Sequence, residues 1–350
     1  MRMFRNKILP LLLFITMLVS ANSCSSTEEV EESITKRGIV VYPSDLISLG
    51  AEQWISLLKE ADLNLVGIHT DTRLEPLHHL KDYLESEEGK LFVAGCKKAD
   101  IDIEFELHIL QDVLLRDLFE SHPDYFRMDE NGVRQQEFNM CFSSEGAYQE
   151  IEKSVIEITK WLKPSTDRYY FWTDDVGQSF CHCEECSKYS NSEQALLYEN
   201  RLLEMLRKIN PDATLAHLCY SNTLDAPQQV KPDDGIFLEY APISRDYNEP
   251  VSISLTKYLK NNLEVFPTET AHILEYWLDV SMFSNWNRET LVRVPCTKEQ
   301  SARDIQLYES LGAKSISTFG AWINKDYVEK FGEEYTRKIV QDYGDALKHK

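Results

Sequence analysis

Short apolar runs alternate with amphipathic stretches along most of the chain. The strand candidates are GIVVYPSD (from Gly38), LNLVGIHT (from Leu63), IDIEFELHIL (from Ile101) and YYFWTDD (from Tyr169). They continue with TLAHLCYSN (from Thr214), GIFLEYAPI (from Gly235), AHILEYWLD (from Ala271) and SISTFGAWI (from Ser315). Between them lie helical patterns such as AEQWISLLKEA, YQEIEKSVIEITKWL, EQALLYENRLLEMLRKI and KEQSARDIQLYESLG, with apolar residues three or four apart. Strand and helix alternating eight times over roughly 300 residues predicts an α/β fold, a (β/α)8 TIM barrel. A doubly wound open sheet is the alternative, but no Gly-rich phosphate turn follows the first strand.

The third run indicates what faces inward. Ile101, Ile103, Phe105, Leu107 and Ile109 alternate with Asp102, Glu104, Glu106 and His108. In a barrel the apolar face meets the helices, so the acidic face points into the lumen. Charged groups there are expensive unless they serve a wet, functional mouth. A half-exposed antiparallel strand with its polar face in water is the competing reading.

Active sites of this fold gather at the C-terminal ends of the strands. Those ends carry His69 and Asp71, His108, Asp174 and Asp175, then His217, Tyr220 and Asn222. Glu239, Arg245 and Asp246 follow, then Glu275, Tyr276, Trp277 and Asp279, and finally Trp322. Carboxylates, aromatics and amides on one rim suit carbohydrate chemistry. Glycoside hydrolysis needs one carboxyl held protonated and a second group as base or nucleophile, while aromatic faces and fixed polar groups bind the sugar. The catalytic candidates are Asp174, Asp175, Glu239 and Glu275. Those for substrate are His69, His108, His217, Tyr220, Asn222, Arg245, Tyr276, Trp277 and Trp322. Each has a plainer role open to it. The aspartates can cap the next helix, the glutamates can pair with a buried arginine, the histidines can be satisfied hydrogen-bonding groups, and the aromatics can be core.

The first residues add a location. Arg2, Arg5 and Lys7 precede the apolar run Ile8 to Val19, whose 12 residues fall short of the roughly 20 that cross a bilayer as a helix. SANSC then resembles a bacterial lipobox, which implies cleavage before Cys24, lipid attachment to it and anchoring in the cell envelope at the outer membrane. An ordinary signal peptide ending near a cysteine is the alternative. SSTEEVEES follows as an acidic tether too poor in apolar residues to order itself. The organisation expected is a signal peptide over 1–23, lipidated cysteine and tether over 24–36, and a barrel over 37–350. Serine and acidic residues after the lipidated cysteine resemble a surface-export signal, with periplasmic-face anchoring the competitor. The net charge of -21 argues against nucleic acid as a partner, and no protein partner is indicated.

HPDYFRMDENGVRQQEFNMCFSS (from His122), WTDDVGQSFCHCEECSK (from Trp172) and EYAPISRDY (from Glu239) together resemble the domain of unknown function 4838 family. The resemblance implies a glycoside-hydrolase-like TIM barrel related to hexosaminidases and α-glucuronidases, in exported proteins of glycan-degrading bacteria. Its members commonly carry Asn-Asp where this chain has Asp174-Asp175, which favours Asp175 as the catalytic acid. The pair also resembles that of hexosaminidases and O-GlcNAcases, where the first acid orients a substrate acetamido group that itself attacks the anomeric carbon. Carried over, Asp174 orients and Asp175 protonates the leaving oxygen. The α-glucuronidase likeness implies inversion instead, with Glu239 or Glu275 as base and Arg73, Arg245 or Lys325 on a uronate carboxylate. A surface glycan-binding protein without turnover is the reading from another class. No cofactor is expected for catalysis.

Cys181, Cys183 and Cys186 form C-x-C-x2-C among eight cysteines. Three thiols this close can wrap one tetrahedral ion, a structural zinc, with Cys141 as the first candidate for fourth ligand and His182 the second. Such an ion would pin the loop beside the aspartates. One or two disulfides is the competing reading in an oxidising compartment.

Overall fold

The computed structural model describes residues 34–70 and 76–349. The signal segment, Cys24, the tether up to Ser33, Asp71 and Arg73 lie outside the described residues, while the tether's expected last residues, Ile34 to Lys36, lead into the barrel and begin its first strand. All eight expected strands form: β1 (Lys36–Val41), β2 (Leu65–His69), β3 (Asp102–His108), β4 (Arg168–Trp172), β5 (Thr214–Cys219), β6 (Ile236–Tyr240), β7 (His272–Glu275) and β8 (Ser315–Phe319). Each pairs in parallel with the next, and β8 returns to β1 with Lys36 opposite Ser315 and Val40 opposite Phe319. The sheet is a closed (β/α)8 barrel, which leaves no unpaired edge.

The amphipathic stretches become the outer helices, among them Ala51–Glu60, Glu145–Ile158, Asn191–Arg207 and Lys298–Ser310. Local chemistry sets their starts. Ser190 and Glu193 form a reciprocal capping box ahead of Asn191–Arg207, and Thr297 with Gln300 does the same for Lys298–Ser310. The helices bury their apolar faces on the outward side of the strands, where Ile103, Phe105 and Leu107 of β3 are buried.

The inward side is unusually polar. Glu104 and Glu106 of β3 point into the lumen, as the alternation predicts, but they lie in its dry interior rather than at a wet mouth, fully buried. Thr166 donates to Glu104 Oε1 at 2.6 Å and Arg168 Nε approaches the same oxygen at 3.7 Å. Of the polar positions of β3, His108 alone reaches the C-terminal rim, where it lines a cavity.

Candidate active site

Two adjoining chambers open at the C-terminal ends of the strands. The outer, of about 250 Å³, is lined by Tyr42, His69, Thr70, Pro76, His108, Gln111, Phe138, Asp174, Asp175, Val176 and Trp286. The inner, of about 150 Å³, shares Tyr42, His69, His108, Asp175 and Trp286, and adds Trp172, Leu218, Tyr220, Ile243, Leu274, Tyr276, Asp279 and Phe319. Asp175 therefore faces both.

The floor is aromatic. His69 lies 5.7 Å from the Trp172 ring and 5.6 Å from Phe319, and His108 lies 5.0 Å from Trp172. Tyr276 stacks on Phe319 with centroids 5.2 Å apart. Both histidines are oriented by backbone: His69 Nδ1 donates to the Glu106 carbonyl and His108 Nδ1 to the Thr173 carbonyl, each at 2.5 Å. A carbonyl can only accept, so each Nδ1 carries a proton and the tautomer is set.

Asp174 is buried. Its backbone N–H donates to Asn139 Oδ1 at 2.8 Å, Gln111 Nε2 donates to its Oδ1 at 3.3 Å, and its Oδ2 has no hydrogen-bond partner among the described residues. Burial pushes this carboxyl up, Arg116 and His108 pull it back, and the neighbouring Asp175 charge adds to the rise. Across the inner chamber, Asp279 caps the short helix Val280–Phe283, accepting from Ser281 Oγ at 2.5 Å and Met282 N at 3.0 Å. Burial raises its carboxyl to about 6 against those hydrogen bonds. Tyr276, in the same chamber, is close enough to Asp279 and Asp175 that both charges add to the effect of burial in pushing its phenol up.

Several strand-end candidates lie elsewhere, for a reason of parity and depth. Glu239 is fully buried in the lumen beneath Trp172, whose Nε1 donates to its Oε2 at 2.7 Å. Glu275 faces the helix layer instead, accepting from Arg245 at 3.2 Å and from Tyr308 at 2.5 Å, and burial lifts it to about 7 despite the pull of Arg245. Neither lines a chamber, which corrects their expected place as catalytic carboxylates. Arg245 is likewise spoken for by Glu275 and by Asp304 at 2.5 Å, so it does not face a substrate carboxylate. Trp277 is core, its Nε1 donating to Asp304. His217 sits three residues before Tyr220 and so on the opposite face of its strand. It is buried against Phe266 at 4.9 Å and bonded to Glu199 at 2.6 Å, which corrects its assignment to substrate.

Trp322 also lies outside both chambers, held through its backbone by Asp45 and covered by Arg288 at 4.5 Å. Asn222 is exposed, and it holds the loop after β4 by donating to the Val176 carbonyl at 3.0 Å. Lys325 starts an outer helix and pairs with Glu329 at 3.8 Å. Asp246 is bonded to Asn248 in its own turn. Conversely, Tyr42, Gln111, Phe138 and Trp286 line the chambers and are not among the candidates read from the sequence. Asp279, visible at the end of β7, takes the place in the chamber that the sequence pattern assigns to Glu239 and Glu275. Trp286 carries one signal: a large aromatic in a polar loop, here 65% exposed with φ of 53°.

The four cysteines Cys141, Cys181, Cys183 and Cys186 come together, all buried, with their sulfurs within 4.8 Å of one another. Cys141 Sγ lies 3.6 Å from Cys183 Sγ and 3.9 Å from Cys186 Sγ. A tetrahedral ion with bonds of about 2.3 Å separates its ligands by about 3.8 Å, so the set fits one closed metal site. A disulfide needs sulfurs at about 2.05 Å, and these cysteines are free. Met128 N–H donates to Cys181 Sγ at 3.3 Å, the kind of outer contact that steadies a thiolate. His182 is exposed and is not part of the cluster; its backbone N–H donates to the Met128 carbonyl at 2.8 Å.

The cluster is tied to the acids. Asn139, two residues before Cys141, accepts from Asp174 N and donates to Ser179 Oγ at 3.1 Å, two residues before Cys181. One loop thus holds both the sulfur cluster and the backbone of the first aspartate.

The solved structures that resemble this fold include two β-galactosidases. Gan42B, a GH42 β-galactosidase from G. stearothermophilus, superposes with a TM-score of 0.51 at 13% identity, over 91% of this chain and 57% of its own. The cold-adapted β-galactosidase of Rahnella sp. R3 gives 0.54 at 12% identity, over 91% and 56%. The chain thus spans a little over half the length of these enzymes, and at such identities the likeness is one of fold. No curated protein matches the sequence. Residues 77–331 match the family described as Domain of unknown function (DUF4838), and the chain belongs to that family, with a (β/α)8 barrel as its fold.

Proposed function

We propose that this protein is an exo-acting glycoside hydrolase whose acid is Asp175. The observation that carries the reading is the placement of the aspartate pair: Asp175 faces both chambers, while Asp174 is buried beside it with one oxygen unpartnered. Chambers of about 250 and 150 Å³ suit the end of a glycan rather than a long run of it. Tyr42, Tyr220, Tyr276 and the exposed Trp286 supply ring faces for sugar stacking.

An N-acetylhexosaminide suits the pair best. Asp174, which lines the outer chamber, would accept the acetamido N–H and orient its carbonyl oxygen, which attacks the anomeric carbon as the glycosidic bond breaks. Asp175 gives its proton to the leaving oxygen, then takes one from the water that opens the cyclic intermediate. A uronic-acid substrate would call for a cation at this rim to pair with its carboxylate. Among the described residues the chamber linings contain no lysine or arginine. Asp279 would bind sugar hydroxyls, and under an inverting course it replaces Glu239 and Glu275 as the base.

We further propose that the cysteine cluster holds zinc, that it keeps the loop after β4 in place, and that the chain is exported and lipid-anchored at Cys24. Thiolates in a closed tetrahedral set are a structural zinc site by donor type. The anchor rests on the leader and lipobox-like sequence alone.

Four outcomes test these readings. Wild type should cleave aryl N-acetylhexosaminides with retention at the anomeric carbon, and Asp175→Asn should lower kcat by about 10²–10⁴-fold. Inverted product in the NMR spectrum would discard the acetamido mechanism, equal turnover by the variant would discard Asp175, and glycan-array binding without turnover on any glycoside would make the protein a binder. Asp279 gains a proton as pH falls through about 6 and loses its charged acceptor, so KM should rise below that pH, and Asp279→Asn should flatten this part of the profile. A Cys181→Ser/Cys186→Ser variant should hold one zinc fewer per chain than wild type and melt at lower temperature. Cys24→Ser should move the full chain from the membrane fraction to the soluble one; an unchanged distribution would remove lipidation there.

A further inference from the structure

Below the floor of the chambers, the lumen holds a second convergent set of ligand groups, separate from the cysteines and unused by the reaction proposed above. Glu106 of β3, Glu239 of β6 and His272 of β7 are fully buried, and each offers one ligand atom within 4.8 Å of the others. Two ligands of one ion can lie no farther apart than opposite sides at about 2.4 Å each, and all three atoms fall inside that limit. Both oxygens of Glu106, Oε1 of Glu239 and Nε2 of His272 have no hydrogen-bond partner among the described residues. His272 Nδ1 is engaged with Ser315 Oγ at 2.7 Å, so its second nitrogen is the one left over.

Charge and space point the same way. Glu104, Glu106 and Glu239 face Arg168 in this interior, and three carboxylates against one guanidinium leave an excess of two negative charges. A buried polar group left unpaired is destabilising, and a charged one more so. On the neighbouring strand, position 67 is glycine, and a Cβ there would lie 2.3 Å from Glu106 Oε1. Strand β2 gives up a side chain at the level where this carboxylate needs room.

We propose that Glu106, Glu239 and His272 bind one divalent transition-metal cation inside the barrel. Two carboxylate oxygens and an imidazole nitrogen suit zinc or manganese, and one ion meets the excess charge and the orphaned atoms together. The ion acts as a positioning element. It fixes Glu239, whose other oxygen accepts from Trp172 Nε1 at 2.7 Å, and Trp172 is the floor against which His69 and His108 pack. Protons on the two glutamates are the competing way to quiet the same charge.

The site is enclosed, so the ion would enter as the chain folds. The full chain is therefore refolded from denaturant with zinc alone, freed of excess metal and analysed for ions per chain. Glu239→Gln and His272→Gln should each hold one ion fewer than wild type, and the Cys181→Ser/Cys186→Ser variant should retain one. Folded lumen variants with the wild-type metal content would overturn the proposal and favour protonated glutamates. Zinc X-ray absorption of the wild type needs no variant: a nitrogen and oxygen shell at roughly 2.0–2.2 Å supports the site, whereas a sulfur-only shell, or no bound zinc, overturns it.

Discussion

A closed parallel barrel commits every second side chain of all eight strands to a lumen without bulk water, and the rest of this structure answers to that constraint. Most barrels meet it with branched apolar residues. Here the inward positions include Glu104, Glu106, Tyr170, Glu239 and His272, all buried, and Arg168, whose side chain is 11% exposed. Such groups are tolerated only when they answer one another. Arg168 lies over the Phe237 ring at 4.5 Å and beside Glu104. Glu239 takes the indole N–H of Trp172. Trp172 is thereby the boundary between two environments, a dry polar interior beneath it and the chambers above it.

Above that boundary, the problem is to hold two aspartates in a segment with almost no regular structure. Between Trp172 and Asn191 the chain makes a single short 3-10 turn. A long loop has little of its own to set its conformation against chain entropy. Contacts come from outside it: Asn139 takes the Asp174 N–H, Asn222 holds the Val176 carbonyl, and Cys141 of the preceding loop meets the segment's own Cys181, Cys183 and Cys186. Thiols and carboxylates share this loop, and Asn139 links them by bonding both Asp174 N and Ser179 Oγ.

The barrel shows why position at a strand end is a poor guide to chemistry. Glu239, Glu275 and Asp279 are all near the ends of β6 and β7, yet they enter three different environments. Glu239 lies in the lumen, Glu275 among the helices with Arg245 and Tyr308, and Asp279 in the inner chamber. Burial raises all three carboxyls, and the partners that offset it differ.

The sequence by itself determined the eight strands, their alternation on β3, the outer helices with their caps, and the nearness of three cysteines, because each is a local pattern with a period of the chain. It also put Asp174 and Asp175 directly after a strand, where a rim residue must be. Only the tertiary structure decided how deep each strand end sits and which partner it meets. Arg245 joins Asp304 from a helix 59 residues away, His217 turns outward to Glu199 while Tyr220 turns in, and Tyr42, Gln111 and Trp286 arrive at the chambers from separate segments of the chain. Those choices depend on strand register and barrel closure, which are set by contacts between distant parts of the chain and leave no periodic mark in any one segment.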